Sequence, residues 1–241
     1  IKVSVPVTDF PRLLTIEEGT PLELETPPGN PVRYDDFANS TFKDWNLHHL
    51  SGNEPTEAPS MASGKLTLKA VGRASGNANS HDAATYAAQW VHGDFDVRLN
   101  VHRVPATNES GRAGIMIRLM DDPESPMAFI CATNKFGCRF YWRGSWGLFS
   151  RNTGATPYRN FTDGDLRLKR TGNLLTGYCS TDGGKSWIRL GSTRFNLTNS
   201  VMLGIAAVAD SDREGQAIVS GFRAAHTPSS VTPVQLENAD H

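Results

Sequence analysis

The stretch GDFDVRLNVHRV, residues 93–104, sets Phe95, Val97, Leu99 and Val101 on one side of an extended chain and Asp96, Arg98, Asn100 and His102 on the other. A period of two belongs to a strand with one dry and one wet face. Such strands are at home in antiparallel sheets that show one side to water. The same order continues outward. GKLTLKAV (64–71) precedes it, and RAGIMIRL (112–119), MAFICAT (127–133), FGCRFYWR (136–143), DLRLKR (165–170), NLLTGYCS (173–180), SWIRL (186–190), VMLGIAAVA (201–209) and QAIVSGFR (216–223) come after it. Gly, Asn and Asp turns separate these runs, and hardly any window has a helical period of useful length. Many short strands without intervening helices predict an all-β, two-sheet antiparallel sandwich or barrel over residues 33–226.

The flanks differ from this body. In IKVSVPV, Ile1, Val3, Val5 and Val7 share one face, and Pro6, which cannot donate to a ladder, marks an edge strand. Residues 1–32 therefore read as an extended N-terminal arm, punctuated after the strand by Gly19, Pro21, Pro27, Pro28, Gly29 and Pro31. The tail, residues 227–241, has two prolines and no strong period.

A chain of 241 residues is an ordinary size for one all-β domain. Its 24 Lys plus Arg nearly cancel 25 Asp plus Glu, leaving no global field to attract nucleic acid or an anionic membrane. No apolar run approaches the roughly 20 residues that span a bilayer. The chain starts at Ile1, which suggests a processed or trimmed product, and the expectation is a secreted or cell-surface protein. The three cysteines are too few for a disulfide framework and lack zinc-site spacing. Cys131 and Cys138 lie in consecutive strand-like runs, so a disulfide across a hairpin is one reading and free core cysteines are the other. Asn39, Asn108, Asn160 and Asn196 head glycosylation sequons, which matter only on a glycosylating route.

STDGGKSW, residues 180–187, fits the Ser-x-Asp-x-Gly-x-Ser/Thr-Trp box of propeller enzymes such as sialidases. It also sits between two strand-like runs, where Asp182 and the glycines after it supply the bonds and positive φ of a tight hairpin. A sialidase needs several such boxes and an arginine cluster. One box is present, so Ser180, Asp182, Gly184 and Trp187 are assigned to a structural turn.

The order of GKLTLKA, HGDFDVRLNV, GRAGIMIRL, GDLRLKRTGNLLTGYCSTDGGKSWIRLG and VMLGIAAVA resembles the concanavalin A-like, laminin-G-like jelly-roll superfamily. The likeness covers roughly residues 34–223 and is closest to the branch with the yeast regulation-of-enolase protein and the sandwich domains of β-xylosidases. It implies a jelly-roll β-sandwich and a role in glycan binding or as an accessory module. Fold alone does not fix function, since this one also hosts enzymes.

Catalytic patterns are absent from the sequence. Glycan hydrolysis needs two carboxylates flanking the bond, and no strand carries the Glu-x-Asp-x-(x)-Glu order of laminarinase-like relatives. Asp94 and Asp96 share a face but lack the third acid. Gln89, His92, Arg118 and Tyr141 supply the residue types of alginate-lyase-like sites without their motifs. No catalytic residue is nominated, although a lyase or hydrolase with an atypical site stays open as an alternative.

Binding has better candidates. CRFYWRGSWGLF (138–149) concentrates aromatics; if Phe140 and Trp142 face the core, Tyr141 shares an outer face with Arg139 and Arg143, and Trp146 lies in the next loop. Aromatic rings pack on pyranose C–H faces while polar groups bond hydroxyls. Tyr141, Arg143, Trp146, Arg118 and Arg139 are therefore the expected ligand-binding set, with a sandwich core and covering loop as the competing reading. Several positive groups on one wet face favour an anionic glycan, unless acids from other strands neutralise them. No cofactor is expected beyond a structural calcium, for which Asp35, Asp36, Asp163 and Asp165 are weak candidates. The leading expectation is a non-catalytic carbohydrate-binding module. A second is a self-assembling or partner-docking module whose residues 1–8 add a strand to another subunit's sheet edge.

Overall fold

Alternation in the sequence becomes two seven-stranded sheets, every neighbouring pair antiparallel. The computed structural model describes residues 32–38, 42–51, 54–73, 81–153, 163–198 and 200–225. The strand expected at 1–8, the rest of the arm to residue 31, residue 226 and the tail at 227–241, and the sequons at Asn39 and Asn160 lie outside them.

In the first sheet the spatial order is β1 (Asn46–Leu50), β4 (Ala84–His92), β13 (Ser200–Val208), β6 (Arg112–Arg118), β7 (Met127–Thr133), β8 (Gly137–Arg143) and β9 (Arg151–Asn152). In the second it is β12 (Ile188–Arg194), β11 (Leu174–Ser180), β10 (Gly164–Thr171), β5 (Phe95–Arg103), β14 (Ser211–Ala224), β3 (Lys65–Gly72) and β2 (Ser60–Ala62). No helix occurs among the described residues. Between the sheets lies one apolar core, in which Val97, Leu99 and Val101 of β5 meet Ile115, Ile117 and Ile130 of β6 and β7. Burying each such side chain contributes about 1.5–3 kcal/mol.

The two outer faces are unlike. β5 alternates buried and part-exposed residues along its length, whereas every residue of β7 is buried. A second apolar cluster, including Tyr86, Met116, Phe129, Cys131, Tyr141 and Met202, occupies the far side of the first sheet. Tyr86 spans it, its hydroxyl donating to the carbonyls of Met116 and Met202 at 3.2 and 2.9 Å.

This two-sidedness corrects the disulfide reading. Ala132 pairs with Cys138 and Cys131 with Arg139, so the pleat sends Cys138 into the inter-sheet core and Cys131 to the opposite face. All three cysteines are free and buried. Burial pushes the Cys131 thiol up to about 12, which keeps it protonated and unreactive.

A bulge in β14 decides which of its side chains reach the outer face. Ser220 pairs with Asn100, yet Arg223 pairs with Arg98, so three steps on β14 oppose two on β5. Gly221 takes the extra step at φ +59°, a conformation that glycine adopts at little cost. As a result Phe222 turns fully into the core while Arg223 returns to the outer face. Asp35 then pairs with Phe222 through reciprocal backbone bonds of 2.9 and 3.0 Å, fixing the segment over 33–36 beside the bulge.

Candidate functional site

The expected binding set does not form one open face. Arg118 and Arg143 have fully buried side chains, and both grip Asp82. Asp82 Oδ2 accepts from Arg118 Nη1 at 2.6 Å and from Arg143 Nη1 at 3.0 Å, while its Oδ1 accepts from Arg143 Nη2 at 2.9 Å. Their remaining donors reach the carbonyls of Met120, Asp122, Pro123, Ser125 and Leu148. These arginines hold the loops over 119–126 and 144–150 and present nothing to a ligand. Parity placed them on the outer face correctly but said nothing about whether loops fold over that face.

Tyr141 is also buried, with the Arg112 guanidinium 5.1 Å from its ring centroid. Arg139 is half-buried over the Phe136 ring at 4.6 Å. Of the five, Trp146 alone is freely accessible, on a loop with exposed Leu148 and Phe149. Trp142 packs against the core and stacks on Phe140 at 5.8 Å.

The acids considered for catalysis are engaged as well. Asp94 Oδ1 accepts from the Gly172 amide at 2.6 Å, and Asp96 receives Arg167 Nε and Nη2 at 2.7 and 2.6 Å. Gln89 is held by both backbone groups of Arg33, and His92 lies on Ser200 Oγ. Asp35 accepts from the Phe37 amide and from Trp45 Nε1, Asp36 accepts from the Ala38 amide, and Asp163 lies near His102. Among the described residues no group of three or more His, Cys, Asp or Glu gathers in metal-binding geometry.

A different surface has unmet bonding capacity: the outer face of the second sheet. Register aligns Arg223, Arg98, Arg167 and Tyr178 in one row across β14, β5, β10 and β11, and Ser220, Asn100, Asp165 and Ser180 in the next. Arg167 is neutralised by Asp96 and flanked by the rings of Tyr178 and Trp187, 5.2 and 5.6 Å from its guanidinium carbon. That Asp96 bond holds Arg167 above its ordinary pKa. Its neighbours are less settled. Arg98 Nε, Asn100 Oδ1 and Asp165 Oδ1 are buried and have no hydrogen-bond partner. Arg223 Nη2 comes only to 4.0 Å of Asp165 Oδ1, beyond hydrogen-bonding distance.

Two walls enclose this patch. On one side the turn between β11 and β12 leans in: Asp182 accepts from the amides of Lys185 and Ser186 and from the hydroxyls of Ser180 and Ser186. Ser186, through its hydroxyl and its amide, then Ser180 hold the Asp182 carboxyl well below the usual carboxylate range. Gly184, at φ +80°, sits so close that an added Cβ would lie 2.7 Å from Arg98 Nη1 and 3.2 Å from the Trp187 ring. On the other side the segment over 33–36 and the 221–223 bulge border a recess of about 440 Å³, lined by Arg33, Tyr34, Trp45 and Arg223 among others. Burial, then the Asp96 charge, raises the Tyr34 hydroxyl from its ordinary pKa. Phe37, which closes the segment, has φ +57°, a strained value for a bulky residue.

Alternation alone places Arg98 and Asn100 on a wet face but does not single them out. Gly221 within QAIVSGFR was the available signal, since glycine inside a strand marks a bulge or close backbone approach.

No protein-family model matches the chain, and no curated protein sequence does. Solved structures do. A functionally unknown protein from Saccharomyces cerevisiae is similar with a TM-score of 0.58 and 17% identity, covering 76% of this chain and 96% of that one. A xylan β-1,4-xylosidase from Bacillus halodurans C-125 gives 0.58 and 13%, covering 84% of this chain and 41% of that one. The chain thus spans well under half of the xylosidase. The lectin UEA-II complexed with galactose gives 0.51 and 10%, covering 79% and 96%. At these identities the likeness establishes the fold alone, a two-sheet antiparallel β-sandwich.

Proposed function

We propose that this protein is a non-catalytic carbohydrate-binding module that takes its ligand on the outer face of the second sheet. The observation that carries the reading is the trio Arg98 Nε, Asn100 Oδ1 and Asp165 Oδ1, buried without partners on adjacent strands. Leaving a buried polar group unbonded costs about 1–3 kcal/mol, and a ligand that supplies the missing bonds recovers that cost. Sugar hydroxyls both donate and accept, which suits one unpaired donor beside two unpaired acceptors. Trp187, Tyr178 and Tyr34 add apolar surface at the margins, and the recess falls in the size range of small-molecule pockets. A galactose-bound lectin among the fold's neighbours is in keeping with this reading.

Calorimetry against a glycan panel tests it. Asn100→Ala and Asp165→Asn are expected to weaken glycan binding at least about tenfold each, the value of one to two hydrogen bonds. Trp146→Ala, on the exposed loop, is expected to leave it unchanged. Binding lost with Trp146 and retained in the other two moves the site to the loop; no binding to any glycan class overturns the function.

A further inference from the structure

The charges on this face do not balance. Arg223, Arg98 and Arg167 stand directly across from one another on neighbouring strands, about 4.8 Å apart. Like charges so placed repel. Asp96 satisfies Arg167 through both oxygens. Arg98 makes no hydrogen bond or ion pair within the described residues, and its Nε is buried. Arg223 has Asp165 at 4.0 Å and no closer acid among the described residues. Burial and then the Arg98 charge hold Arg223 below its ordinary pKa, against a smaller opposing pull from Asp165.

Backbone features enforce this crowding. The Gly221 bulge returns Arg223 to the outer face opposite Arg98, and Arg223 Nη1 lies 2.3 Å from where a Cβ on residue 221 would stand. Gly184 leaves room for Arg98 Nη1 under the β11–β12 turn. Two glycines at positive φ therefore leave room for both guanidiniums on one face.

We infer that this face recognises an anionic glycan, seating a carboxylate or sulfate of the sugar between Arg98 and Arg223 while Asn100 and Asp165 bond neighbouring hydroxyls. The inference rests on the carbohydrate reading above and adds the charge of the ligand. A guanidinium presents its Nε and one Nη in a planar fork that matches a carboxylate edge, and Arg98 keeps that fork unused.

The test is calorimetry of the full chain with oligogalacturonate, its methyl ester, and a sulfated galactan oligosaccharide. Oligogalacturonate or the sulfated galactan is expected to bind about tenfold or more tightly than the ester, the worth of one charge-assisted hydrogen bond; which of the two binds better assigns the anion. Arg98→Gln and Arg223→Gln should each abolish that preference, and Arg189→Gln, which removes an exposed charge from the same sheet, should preserve it. Arg98→Gln breaks no hydrogen bond, so its urea midpoint should match or exceed wild type, and the half-exposed Arg223 supplies the second variant should the first fold poorly. Binding of both the oligogalacturonate and the sulfated galactan no tighter than that of the ester overturns the charge assignment and leaves the carbohydrate reading standing. Acid preference that survives both substitutions overturns the site. No binding of any of the three, nor of a neutral panel, overturns the reading beneath it.

Discussion

Asp82 sets one carboxylate between two guanidiniums that see no solvent. Removing it leaves two buried charges uncompensated, which is far costlier than losing a surface pair. Asp82→Asn is expected to cost about 3–5 kcal/mol in urea unfolding; a loss under about 1 kcal/mol contradicts the clamp. Arg118 and Arg143 show why single residues were hard to read from sequence. Alternation gives the face a side chain leaves from, but exposure depends on how the following loops fold over it and on Asp82, tens of residues away. Asp182 illustrates the opposite case, because its partners lie within four residues and arise from the turn's own composition. Its carboxyl titrates below its ordinary value of 3.8, so the bonds it accepts are complete above that value and are lost as pH falls through the lower folded value. Amide exchange at Lys185 and Ser186 should thus stay slow down to about pH 4 and quicken in stronger acid relative to the intrinsic rate, with Asp182→Ala fast throughout.

Elements explain why the candidate face escaped the sequence. QAIVSGFR reads as an unbroken strand, and unbroken pairing would place Phe222 outside and Arg223 inside. One glycine reverses both, and Arg223 joins Arg98 and Arg167 in the cross-strand row only in the shifted register. Gly221→Ala tests this. A residue with a Cβ at φ +59° is destabilised by about 1–2 kcal/mol, and the Cβ also displaces Arg223. The expected outcome is that modest destabilisation together with loss of glycan binding. Full binding would mean that the bulge does not position the site. Gly184→Ala should likewise weaken binding, through Arg98, with little change in the β11–β12 pairing.

At the scale of the whole molecule, period-two alternation was enough to specify a two-sheet antiparallel sandwich, since turn chemistry and the lack of helical periodicity left few other ways to bury so many half-apolar strands. It did not reveal that the sheets divide their labour. MAFICAT and VMLGIAAVA are nearly continuous apolar runs, which fit a sheet buried on both faces, whereas GDFDVRLN and DLRLKR keep a polar side. On the first kind of strand Arg118 and Arg143 are spent on structure, whereas on the second kind Arg98 keeps its donors unbonded. Backbone amide shift mapping by NMR, during titration with the best-binding glycan, separates the two faces. A ligand seated on the second sheet moves amides in β5, β10, β11, the Gly221 bulge of β14, the segment over 33–36 and the turn over 181–187, and leaves the first sheet and the Trp146 loop still. Changes centred on the Trp146 loop or on the first sheet, with β5 silent, would contradict that placement.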